Sequence, residues 1–73
     1  MIIAPIFANP EYVTFSEANL REGDRFMIQH KSGIKYTIKS ISFMGFEAVS
    51  DGGNLEIFLF RDISYLRFKK LNE

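Results

Sequence analysis

Chemistry in a chain this short has to come from few residues, and the sequence offers little that converges. His30 is the one histidine, the residue type most often used for acid–base chemistry, and it sits beside Lys31 at the end of an alternating segment. Ser16, Ser32, Ser40, Ser42, Ser50 and Ser64 lack the Gly-x-Ser-x-Gly spacing that presents a nucleophile on a sharp turn. The carboxylates are scattered singly, so no pair recommends itself as an acid–base dyad. There is no Cys, which removes disulfides and thiolate metal sites, and a single His does not make a zinc site. Asp51-Gly52-Gly53-Asn54 has neither the lysine nor the spacing of a phosphate-cradling loop and reads as a turn. No catalytic residues, metal or cofactor are expected, and the chain reads as a non-enzyme.

The residue types present in excess are aromatic. Of 73 residues, 47% are hydrophobic and 15% aromatic, with eight Phe. A single core of this size supplies only about 3–5 kcal/mol without a staple, so packing, or packing with oligomerisation, has to hold the fold. Tyr36, Phe43, Phe46, Phe58, Phe60 and Tyr65 exceed what one face of so small a sheet easily hides. Tyr36, Phe43, Phe58, Phe60 and Tyr65 are therefore candidates for an exposed protein-binding patch, since aromatics often dominate interfaces. The Phe58/Phe60 face comes first, because that strand is apolar on both sides. The same surplus is compatible with a homo-oligomer in which Ile2-Ile3 and Ile6-Phe7 dock on a neighbour.

Charge argues against a dedicated nucleic-acid binder. Nine Lys and Arg balance nine Asp and Glu, giving no net charge and a pI near 6.6, whereas phosphate binding rests on a basic surplus. Lys31, Lys35 and Lys39 nevertheless fall on one strand face, with Arg67 and Lys69 near the C-terminus, and Tyr36 and Tyr65 could stack bases. Nucleic-acid binding through these residues is the runner-up. The N-terminal apolar run is too short for a secretory core, and nothing approaches a membrane span, so a soluble cytoplasmic protein is expected.

The elements that position these side chains are short strands. The alternation predicts a strand over Arg25 to His30, with Phe26 and Ile28 on one face, and a tight hairpin connection at Lys31-Ser32-Gly33. A second strand from Ile34 changes phase after Lys39, which demands a bulge at Lys39-Ser40-Ile41. Phe46 to Ser50 and Leu55 to Phe60 flank the Asp51–Asn54 turn, Arg61 to Ser64 suits a 3₁₀ turn, and Tyr65 to Lys69 is a last strand before a fraying tail. Upstream, Ser16 reads as the N-cap of a helical turn that presses Phe15 and Leu20 onto the sheet. Met1 to Ala8, broken by Pro5, reads as an edge strand or extended arm. One domain, residues 1–73, is expected: an arm over 1–15 and an all-β, five-stranded SH3-like barrel over 20–69.

Two stretches carry a family resemblance. Arg21-Glu22-Gly23-Asp24-Arg25-Phe26 looks like the Gly-Asp opening of the first strand in SH3-like modules of the Tudor and KOW type. Asp51-Gly52-Gly53-Asn54-Leu55-Glu56-Ile57, followed by Arg61-Asp62-Ile63, is similar to the turn and closing segment of Tudor domains. The resemblance spans roughly residues 20–68 and implies an SH3-like fold. Gly52 stands where Tudor domains place a cage tyrosine, so the methylated-residue cage is not implied. The expected role is a protein-interaction module, as a small adaptor or as a stoichiometric inhibitor of a phage or other mobile element. A further alternative is a structural subunit that swaps its arm between protomers.

Overall fold

Phe26 and Ile28 alternate with Arg25 and Met27, and this period of two sends two large side chains to one side of a strand. A computed structural model of the chain describes residues 11–31 and 33–72 and carries that alternation through one antiparallel sheet. Its strands are β1 (Arg25–Ile28), β2 (Tyr36–Ile41), β3 (Gly45–Ser50), β4 (Leu55–Leu59) and β5 (Phe68–Leu71). Their spatial order is β4-β3-β2-β1-β5. The first four strands form a meander, and the fifth returns to pair beside β1. A four-residue helix, α1 (Phe15–Ala18), precedes the sheet, and a 3₁₀ turn (Phe60–Asp62) follows β4. The molecule is thus all-β with little helix, and the sheet is not closed.

The phase change in β2 is a bulge. Ile38 faces Ala48 and Ser40 faces Glu47, so Lys39 is the extra residue. The shift keeps Tyr36 and Ile38 inward on one side of it and lets Ile41 pair with Phe46 on the other. On the inner face Phe26, Ile28, Tyr36, Ile38, Phe46, Ala48, Phe58 and Phe68 pack together, closed over by Leu20 and Ile63. Phe46 is the centre of an aromatic cluster: it stacks on Phe15 at 4.5 Å and on Phe58 at 4.8 Å, with Phe26 and Phe68 edge-on. Offset and edge-on pairs of this kind contribute about 0.5–1.5 kcal/mol each beyond burial.

Several element ends depart from the sequence-based expectation. Thr14, not Ser16, caps α1: its hydroxyl accepts from the Glu17 N–H at 3.2 Å, and the Glu17 carboxylate accepts from the Thr14 N–H at 3.0 Å. This reciprocal box satisfies two orphan donors where Ser16 satisfies none. The β1–β2 connection is the whole of residues 29–35 rather than a tight turn, with Lys31 N–H bonding Ile28 C=O at 2.9 Å. The last strand begins at Phe68 and runs to Leu71, because Leu66 N–H closes a turn onto Ile63 C=O and delays the strand. Residues 11–15 of the expected arm lie on their own sheet: Val13 pairs with Phe68, and Glu11 holds Lys69 at 2.6 Å. The expectations for Met1 to Pro10, including Ile2-Ile3 and Ile6-Phe7, lie outside the described residues.

Candidate interaction surface

The β3–β4 hairpin sets the surface that matters most. Its turn works because Gly53 takes φ +89°, which side chains rarely adopt, while Ser50 ties the turn from below. Ser50 C=O accepts from Gly53 N–H at 2.8 Å, and the Ser50 hydroxyl accepts from Asn54 N–H at 3.2 Å. The turn fixes the register Gly45 to Leu59, Phe46 to Phe58 and Glu47 to Ile57. Asp51 adds an ion pair to Arg25 of β1, with Asp51 oxygens 2.5 and 2.6 Å from the guanidinium.

This register puts Phe58 inward, and the sequence-based choice of the Phe58/Phe60 face is corrected accordingly. Phe58 is only 7% exposed, and Phe60 packs half-buried against the core. Tyr36 is buried as well, at 1% exposure, its ring stacked on Phe26. These three are packing residues, because their rings join the aromatic cluster of the inner face: Tyr36 on Phe26 and Phe58, Phe58 on Phe46, and Phe60 on Phe15 and Phe46. Phe43 and Tyr65 are different: they stand 91% and 74% exposed.

What sequence reasoning missed is the opposite face of β4. Leu55 and Ile57 are exposed, Ile57 to 66%, and Leu59 is half-exposed between them and Met44. The alternation of Leu55, Ile57 and Leu59 was legible, but not which side the core would take. Three shallow hollows of about 450, 300 and 260 Å³ share Leu59 in their walls. The first runs along the outer side of β4 against Tyr65, Leu66 and Lys31, and the second holds Phe43 and Met44. A larger cleft of about 640 Å³ lies between α1 and the segment before β5, floored by Leu20, Ile63 and Leu66.

β4 is also one end of the sheet. Ser50 N–H bonds Asn54 C=O at 3.0 Å, and Phe60 N–H bonds Met44 C=O at 2.9 Å, bracketing the β3–β4 ladder. Antiparallel pairs alternate between bonded and non-bonded, so Glu56 and Phe58 exchange bonds with β3. The N–H and C=O groups of Leu55, Ile57 and Leu59 therefore point away from β3, and they find no other partner among the described residues. The same three residues present apolar side chains and unpaired backbone.

The basic residues are dispersed and largely paired. Lys31 lies 3.7 Å from Glu56, Lys69 holds Glu11, and Lys70 reaches Asp24 at 3.3 Å. Arg67 donates to the carbonyls of Ser64 and Leu66. The Glu11 hydrogen bond and charge hold Lys69 above its ordinary pKa, and the same contact lowers that of Glu11. Lys39 is exposed at the bulge, and Lys35 is half-buried beside Tyr36. Lys31, at the β1–β2 connection, turns toward β4 instead of joining Lys35 and Lys39. His30 is exposed in that connection. Among the described residues no group of three His, Asp or Glu could hold a metal ion, and no helix is long and apolar enough to cross a membrane. No family model matches the chain, and neither a curated protein nor a solved structure matches it significantly.

Proposed function

We propose that this chain is a non-enzymatic protein-interaction module built on a small SH3-like barrel, engaging its partner along β4. The meander order with β5 returning beside β1, the bulged second strand and the 3₁₀ turn before the last strand all support the barrel reading. The observation that carries the function is the coincidence, along Leu55, Ile57 and half-buried Leu59, of apolar side chains on the outer face, two of them exposed, with outward-pointing backbone groups. Proteins ordinarily blunt such an edge with charge, Pro or a bulge, and β4 has none of these on its outward positions. An edge left sticky suits strand addition, in which main-chain bonds supply affinity and alternate side chains supply selectivity. Phe43 and Tyr65 flank the strip as aromatic anchors. A stoichiometric adaptor or inhibitor is the role this surface fits.

The test is affinity capture with the wild-type chain and the Ile57→Lys variant side by side, followed by rebinding of the purified candidate. A protein held by the wild type and lost by Ile57→Lys supports the reading. Identical captured sets would overturn it.

A further inference from the structure

Resting on the β4 reading, we infer that the partner strand is β4 of a second copy of this chain, giving a two-fold dimer centred on Ile57. The strip is symmetric about that residue. With Ile57 opposite its own counterpart, Leu55 faces Leu59 of the other copy and Leu59 faces Leu55. Each pairing joins residues whose N–H and C=O already point outward, so both strands present the groups that a regular antiparallel ladder joins. Residues facing each other on the outer side would then be Leu, Ile and Leu from each copy, with no like charges opposed.

β4 ends at Leu59, where the chain enters the Phe60–Asp62 3₁₀ turn, so the ladder between copies spans Leu55 to Leu59. Because the contact is the same patch on both copies, it closes at two and covers the β4 edge of each.

Sedimentation of the wild type and of Ile57→Lys tests the interface, and single cysteines test the register. The chain has no Cys, so one introduced thiol reports cleanly. In a bonded antiparallel pair the Cα atoms are about 5.5 Å apart, within disulfide reach, so Ile57→Cys is expected to cross-link to itself under mild oxidation. Leu55→Cys is not, because its counterpart lies about four residues away along the strand, on the order of 14 Å. The expected result is a wild-type dimer, a monomeric Ile57→Lys with unchanged circular dichroism, and at least tenfold faster cross-linking at position 57 than at 55. A dimer untouched by Ile57→Lys, or equal cross-linking at both positions, would overturn the inference. So would a monomeric wild type. If that monomer still captures a protein that Ile57→Lys loses, the dimer falls while the interaction reading stands.

Discussion

The Tyr36 hydroxyl donates a 2.9 Å hydrogen bond to Oε2 of Glu56, joining β2 to β4 across the intervening β3. Oε1 of the same carboxylate lies 3.7 Å from Lys31 Nζ, so one half-buried acid ties a core tyrosine to a surface lysine. Burial of the ring, reinforced by the bond to Glu56 and its negative charge, pushes the phenol pKa up to about 12.

The stability of the fold is accordingly expected to depend on alkaline pH. The folded protein holds the Tyr36 proton more tightly than the unfolded chain, whose tyrosine titrates near 10.0. The contribution is fully present below pH 10 and is lost as pH rises through about 12. Its ceiling is about 2–3 kcal/mol. Melting temperatures across this range should fall for the wild type and stay flatter for Tyr36→Phe. Parallel slopes for the two proteins would sink the assignment.

Gly45 is expected to tolerate no side chain. A Cβ there would stand 2.0 Å from the Phe58 carbonyl oxygen and 2.9 Å from the Leu59 Cα, both backbone atoms. β3 and β4 would have to separate, so Gly45→Ala should cost about 2 kcal/mol or more. Gly52→Ala is the control: the nearest atom to its Cβ is the Ser50 hydroxyl at 3.7 Å. Chemical denaturation of both variants checks the difference.

The α1 lid acts through one ring. Phe15 stacks on Phe46 and touches Phe60 and Phe68 at 5.2 and 5.5 Å. Phe15→Ala should cost about 2–3 kcal/mol, below the range for a fully buried Phe because Phe15 is half-exposed. Thr14→Ala, which removes only the cap, should cost about 1 kcal/mol. Equal losses would mean that the cap, not the ring, holds the lid.

Phe43 and Tyr65 separate binding from stability. Their exposure means that Phe43→Ala and Tyr65→Ala should change unfolding free energy by less than about 0.5 kcal/mol. Partner capture should weaken in both. A drop in melting temperature without a binding change would show that they support the fold instead.

Much of the sheet was legible in the sequence because strand periodicity is local. Phe26 and Ile28 announced an inward face, the broken phase at Lys39 announced the bulge, and Asp51 to Asn54 announced a turn that only small or αL-tolerant residues make. The helix cap was misassigned to Ser16, although Thr14 and Glu17 stand at capping-box spacing. The start of β5 was not legible, since a turn closed by the Ile63 and Leu66 backbones leaves no side-chain signature.

The candidate surface was legible only by half. Alternation assigns Leu55, Ile57 and Leu59 to one face of β4 and Phe58 to the other, and the sequence by itself determined that split. Which face is buried was decided by the tertiary structure. Pairing of β4 with β3 brings Phe58 onto Phe46, inside a ring cluster that already contains Phe15, Phe26 and Phe68. A flat aromatic ring stacks there more favourably than a branched aliphatic side chain does. The leucines and the isoleucine are left outside, on a terminal strand of the sheet. Exposure and edge position depend on contacts between residues distant in the chain, and no local pattern encodes them.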